Sequence, residues 1–509
     1  MPGMGIPELP VPSGLVLRPF RGVRFAVEDP AKVTSPPYDL ISDAKVDALL
    51  DSHPNNVVRL ILPCSTHRQP GAPTGDVTPP TEDATPQPAS GTTQHPRPVA
   101  SHRPAEIPLD TRYAEARDTL REWLEAGVLV PDDVPALYVY EQSGAGVLQR
   151  GLIGDVGLVD PGRRIILPHE DVLPGPIADR LALMGTTQAN LEPIFLLYDG
   201  GNGTTTGLVN EVAAQRPPLV SARTEDGLTH RLWAITDPAE IAAINADLHD
   251  RQALIADGHH RYATYRVLQR QERAANRAGL GQPPAPSSAP SPPPAPASSP
   301  ASAPAPDVTG HTPEQPGQTA KPWDFGLALL VDSAAYAPDL KAIHRVIPGL
   351  PLAEATAKAK GSWHVDDYDD LAQGLAALEA APEPSFLLAG AGGGSHLLTN
   401  PDPVQLALAM PADHSDRWNS LNTSVLTEFV LPKVWGMQDD EQAVRIVHHD
   451  VEAAVRLAIR TGGTAVILKP LAVDDVLAVA AGGERVPRKS TSFGPKPRTG
   501  LVLRTFAID

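Results

Sequence analysis

Leu254–Leu268, LIADGHHRYATYRVL, reads as the end of a strand, a tight turn and the start of a helix, and it sets the fold class. The apolar run Ala253–Ala256 fits a short buried strand. Asp257-Gly258 supplies turn chemistry, and Gly258 can take a positive φ or let a ligand approach the backbone. A long polar helix is expected from Arg261 to about Ala275. Outward from this unit, strands are expected at Asn56–Leu62, Ala136–Tyr140, Ile194–Tyr198, Gly326–Val331, Ser385–Ala389 and Thr464–Leu468. Helices are expected at Thr111–Ala126, with Gly127 as its stop, from Asp237 with Pro238 at its first position, and at Glu441–Arg460, where Val444, Val447, Val451 and Val455 share a face. Alternation of this kind indicates an α/β or α+β protein.

The chain has 509 residues and a formal net charge of −18. The acidic balance argues against a general nucleic-acid binder, because phosphate neutralisation needs clustered Lys and Arg. A single cysteine, Cys64, excludes an internal disulfide framework and a multi-cysteine zinc site, and it reads as a passive small hydrophobe. No apolar run is long enough to span a membrane, and the first residues lack the pattern of a secretion signal, so the expected location is the cytoplasm. Two proline-dense stretches offer little apolar surface to offset ordering entropy. They divide the chain into an N-terminal α/β region (14–68 and 109–273), a disordered insertion (69–108), a disordered linker (274–322) and a C-terminal α/β region (323–509).

The chemistry is expected at the turn. Helix-opening N–H groups after Gly258 lack intrahelical acceptors and can donate to an anion. Arg261 adds a guanidinium fork suited to phosphate, and His259 and His260 can donate hydrogen bonds, bind a metal or move a proton. The bland alternative is a capped helix start with an Asp257–Arg261 salt bridge. A second cluster, Leu167–Arg180 (LPHEDVLPGPIADR), offers Glu170 as a general base and His169 as its orienter, or else a solvated surface. Thr34–Ile41, TSPPYDLI, reads as an ordinary turn that carries Tyr38 and Asp39. The glycine run in Ala389–Leu398 lacks the Lys-Ser/Thr ending of a phosphate loop and reads as a hairpin. His448-His449-Asp450 reads as solvated charge on a helix.

With RPFRGVRF (Arg18–Phe25), TSPPYDLI, HPNNVVRLILP (His53–Pro63), RGLIGDVGL (Arg150–Leu158), LPHEDVLPGPIADRLALMGTTQANLEPIFLLY (Leu167–Tyr198), ADGHHRYAT (Ala256–Thr264) and ERVPRKSTSFGPKPRTGLVLR (Glu484–Arg504), the chain resembles domain-of-unknown-function family 1015. The proline-dense stretches stand as insertions in that frame, and Phe493-Gly494-Pro495 replaces an aromatic pair before the proline. ADGHHR resembles the phosphate-contacting box of the ParB/sulfiredoxin-like fold, which includes free-serine kinases. The resemblance implies a mixed-sheet core in which Asp257, Gly258, His259, His260 and Arg261 contact the phosphates of ATP, ADP or pyrophosphate, with Mg²⁺ held by Asp179 and Asp257. Lys489, Ser490 and Lys496 close over the phosphates, or form a basic solvated loop. His169, Glu170 and His260 make the expected catalytic group of a phosphotransferase or hydrolase acting on a small molecule such as serine. The rival is a non-catalytic nucleotide-binding regulator. The oligomeric state is left open.

Overall fold

Ala253–Asp257 is a strand, buried except at Asp257, and it lies second from the edge of a nine-stranded mixed sheet. The computed structural model describes residues 12–63, 109–201, 203–280, 320–440 and 442–508. Across the sheet the order is Ile166–Leu167, Ala253–Asp257, Ile194–Tyr198, Phe325–Asp332, Val147–Gly157, Leu137–Gly144, Thr229–Ile235 and Val220–Arg223, with Leu17–Arg18 paired to Val147–Gly157 beside that order. Ile166–Leu167 runs parallel to Ala253–Asp257, and Ile194–Tyr198 runs parallel to Phe325–Asp332. A register shift between Ile255 and Asp257 bulges the site strand at its end, a device that re-aims a side chain.

The sheet is covered on both faces. One face packs on Val209 and Val212 of helix Thr204–Gln215, Ile244 and Leu248 of Pro238–Leu248, and Tyr262, Tyr265 and Leu268 of His259–Leu280. The other packs on Val476 and Val479 of helix Val473–Gly482 and on Leu501 and Val502. That is why Ile194–Tyr198 reads as an unbroken apolar run rather than an alternating one. Phe195, fully buried at its centre, contributes about 2–3 kcal/mol.

A second sheet is antiparallel throughout: His364–Tyr368, Ser395–Thr399, Phe386–Gly390, Thr464–Ile467, Ile343–Ile347 and Arg445–His448. The glycine run forms the hairpin between Phe386–Gly390 and Ser395–Thr399. The stretch from residue 323 therefore opens with a strand of the first sheet and ends by covering that sheet's other face. Only its middle builds the second sheet.

Three local expectations are corrected. Asn56–Leu62 holds a short helix, Val58–Ile61, where a strand was expected. The Asn56 carboxamide oxygen accepts from the Val58 N–H at 3.0 Å, so turn chemistry prevails over β-branched propensity. Glu441–Arg460 is divided into strand Arg445–His448 and helix Val451–Arg460. Asp450 caps that helix by accepting from the Ala453 N–H at 2.7 Å, and His449 takes a φ of +43°. His448 is thus on a strand, and His449 and Asp450 form the turn after it. Third, residues 274–280 continue the site helix, and Pro322–Asp324 forms a single 3₁₀ turn. There Arg273 and Gln269 bind Asp324 at 2.9 and 3.1 Å, tying the helix to the chain re-entering the sheet. Cys64, 69–108 and 281–319 lie outside the described residues. Among the described residues no helix is long and apolar enough to cross a membrane.

Candidate functional site

The turn after the bulged strand requires glycine. Gly258 has a φ of +93°, and a Cβ there would stand 3.0 Å from Ile194 Cγ2 and 3.2 Å from Arg261 Nε. From the first turn of the helix, Arg261 reaches back: Nη2 donates to Asp257 Oδ2 and Nη1 to the Pro193 carbonyl, each at 2.6 Å. The salt bridge of the bland alternative is therefore present, and Arg261 is only 5% exposed. The other Asp257 oxygen meets Lys496 Nζ at 2.5 Å, and that ammonium also pairs with Asp39. Burial alone would raise the Asp257 carboxyl, but Lys496, Arg261 and Lys489 hold it below its ordinary value. Burial works against the Arg261 charge too, and Glu192, Asp257 and Tyr38 overcome it.

The two histidines differ. His259 is buried, and its Nε2 accepts from the His169 backbone N–H at 3.3 Å. The two rings meet edge to face, centroids 4.6 Å apart. Burial keeps both neutral, pushing His169 down to about 3 and His259 well below its usual value. His260 is half-buried, and its Nε2 accepts from the Leu173 N–H at 3.0 Å. That contact places the ring proton on Nδ1 while the ring is neutral. Burial and the charge of Lys489 lower its pKa.

Glu170 is tied to the same centre through Thr491. The Thr491 hydroxyl donates to Glu170 Oε1 at 2.8 Å and lies 2.8 Å from His169 Nε2. Burial raises the Glu170 carboxyl, against the pull of Thr491 and Lys489. Arg485 anchors the loop by donating to the Glu170 carbonyl at 2.6 Å.

The returning chain supplies the remaining wall. Lys489 is exposed, with a φ of +55°. The carbonyls of Arg488 and Lys489 each accept from Arg345 Nη2 at 3.0 Å. Arg345 comes from the second sheet, is 1% exposed, and has its guanidinium lowered by burial to about 10. Pro495 is held by Gln142, whose Nε2 donates to its carbonyl at 3.0 Å, and the Arg498 N–H donates to the Tyr140 hydroxyl at 3.1 Å. Ser490 is buried, and its hydroxyl donates to the Pro487 carbonyl at 2.6 Å, inside its own loop. Thr491, between His169 and Glu170, and Lys496, between Asp39 and Asp257, bring segments far apart in sequence to one locus.

Asp179 is engaged elsewhere. It accepts from the Tyr113 hydroxyl at 2.5 Å and from Arg180 at 2.6 and 2.8 Å, and it shares no partner with Asp257. Among the described residues no three His, Cys, Asp or Glu side chains gather as metal ligands. Asp179 is spent on Tyr113 and Arg180 and Asp257 on Arg261 and Lys496, so the expected Asp179–Asp257 pair does not fit a bound Mg²⁺.

Sequence reasoning passed over Thr491, Arg345 and Glu192. The signal available for Arg345 is a guanidinium inside the apolar strand IHRVI.

The profile of a family described as "Protein of unknown function (DUF1015)" matches residues 17–78 and 96–288. No curated protein matches the chain. Among solved structures, a free serine kinase in complex with AMP is similar at 12% identity and a TM-score of 0.30, over 68% of this chain and 90% of that one. A mutant free serine kinase in complex with ADP is similar at 11% identity and a TM-score of 0.32, over 72% and 96%. A conserved hypothetical protein from Pyrococcus furiosus is similar at 11% identity and a TM-score of 0.30, over 68% and 94%.

Proposed function

The chain belongs to the DUF1015 family, and from that premise we propose that it is a phosphotransferase that moves a phosphoryl group from ATP, ADP or pyrophosphate to a small hydroxy compound such as serine. The observation that carries the proposal is that side chains from distant segments meet at the opening turn of the site helix: Asp257 pairs with Lys496 and Arg261, His259 accepts from the His169 N–H, and Thr491 bridges His169 and Glu170. Phosphoryl transfer asks a protein mainly for positioned charge, and these groups supply it. Lys489 and the free N–H groups after Gly258 hold the phosphates. His260 donates from Nδ1 to a transferring oxygen. Glu170 takes the proton of the acceptor hydroxyl as its oxygen attacks phosphorus. The bond from phosphorus to the leaving oxygen breaks, and Lys489 and Lys496 stabilise the charge that builds there. Asp257, His259 and Arg261 hold the turn, and His169 and Thr491 hold Glu170.

The test is incubation of the full chain with ATP, ADP or pyrophosphate, Mg²⁺ and serine. O-Phosphoserine formation that falls about 100-fold in Glu170→Gln supports the proposal. Absence of both phosphoserine and donor consumption overturns it. One observation favours the regulatory reading: Arg345 ties the Lys489 loop to the second sheet, so an occupied site bears on a distant surface. Tight nucleotide binding without turnover would decide for that reading.

A further inference from the structure

Behind the turn, helices Pro174–Thr187 and His259–Leu280 flank a small cavity that the phosphate reading does not use. Its wall includes Arg180, Arg261, Glu192, Leu183, Met184 and Leu191. Arg180 and Arg261 are 7% and 5% exposed. The Tyr38 ring packs against both, its centroid 4.6 Å from Arg180 Cζ and 5.8 Å from Arg261 Cζ. Arg261 spends Nη1 on the Pro193 carbonyl and Nη2 on Asp257, while its Nε is buried with no acceptor. A buried donor left in that state is costly, about 1–3 kcal/mol. Arg180 bonds Asp179 through Nε and Nη2 and the Ile61 carbonyl through Nη1, so its fork still has N–H groups to give. The rest of the wall is apolar.

We propose that this cavity, about 30 Å³ in volume, binds a monocarboxylate no larger than acetate, its oxygens received by Arg261 and Arg180 and its methyl group lying against the apolar wall. A planar carboxylate matches a guanidinium fork in shape and charge. Glu192 closes the set. Its Oε1 accepts from the Tyr38 N–H at 3.0 Å and the Thr499 hydroxyl at 3.1 Å. Burial raises its carboxyl against the pull of Arg261 and Arg180, and a phosphate dianion would meet Glu192 and Asp257 with twice the added negative charge of a carboxylate. The inference stands apart from phosphoryl transfer.

The test is calorimetric titration of the full chain with formate and acetate, with chloride and inorganic phosphate as comparison ions. The expected result is saturable carboxylate binding, tighter than either comparison ion, that weakens at least ten-fold in Arg180→Met. Because Arg180 also anchors the Ile61 carbonyl, Met184→Phe serves as a second variant: it fills the cavity, keeps both guanidiniums, and is expected to lose carboxylate binding while retaining the wild-type circular dichroism spectrum. Carboxylate affinity no greater than that for chloride overturns the proposal. So does tighter binding of phosphate, or unchanged carboxylate affinity in a folded Met184→Phe protein.

Discussion

Two glycine turns follow buried strands in this protein, and they end differently. In the first sheet, Asp257-Gly258 leads from a bulged strand into a helix. In the second, Ala391–Gly394 leads from one strand back to its antiparallel neighbour. Gly258 and Gly393 both take positive φ, +93° and +82°. A Cβ at Gly258 meets Ile194 and Arg261, whereas one at Gly393 meets nothing within 4 Å. The strand after the hairpin spends its backbone donors on the ladder. The helix after the turn leaves its first N–H groups over, and distant segments reach the turn: Lys496 pairs with Asp257, and the His169 N–H donates to His259. Glycine content alone therefore does not set the two turns apart; the next element and the chain that covers the turn do.

The sharpest break to this contrast is Arg261→Ala. It strips Asp257 of its buried partner and the Pro193 carbonyl of its donor, and it is expected to cost about 3–5 kcal/mol in denaturant unfolding. A loss below about 1 kcal/mol would mean that the turn is no more strongly walled than the hairpin. Next comes acid sensitivity. His169 and His259 are neutral in the fold but titrate near the ordinary histidine value of about 6.5 when unfolded. The unfolded chain thus binds more protons below that pH, and stability is full above it and falls as the pH drops. His169, pushed down to about 3, contributes a loss of about 2 kcal/mol between about pH 6.5 and 5, and His259 adds to it in the same direction. Unfolding midpoints followed against pH check this, and a flat profile over that range contradicts it. The smallest effects compare the two glycines directly. Gly258→Ala is expected to cost about 2 kcal/mol and to weaken nucleotide binding. Gly393→Ala is expected to cost about 1 kcal/mol and leave binding unchanged. Equal losses from the pair would erase the distinction.

The sequence carried much of this in advance, and unevenly. Ile194–Tyr198, Ala253–Asp257 and Phe325–Asp332 were legible because continuous apolar runs bounded by polar turns mark strands buried on both faces. The turn itself was legible from Asp257, Gly258 and Arg261. Asn56–Leu62 was misread because Asn56 closes a local turn whose hydrogen bond no propensity scale contains. Arg445–His448 was misread because Val444 and Val447 extend a helical spacing into an edge strand that exists only through its pairing with Ile343–Ile347. Thr491 and Arg345 act through partners more than a hundred residues away, and a linear reading holds no such distances. The placement of Asp179 on Tyr113 and Arg180, away from Asp257, depends likewise on how two helices pack.

The most direct measurement is a calorimetric titration of ADP into the wild-type chain and into Lys489→Met, whose side chain is exposed and so leaves the fold intact. The account predicts saturable binding to the wild type and at least a ten-fold weaker affinity in the variant. Equal affinities, or no binding of ADP, ATP or pyrophosphate to the wild type, would contradict it.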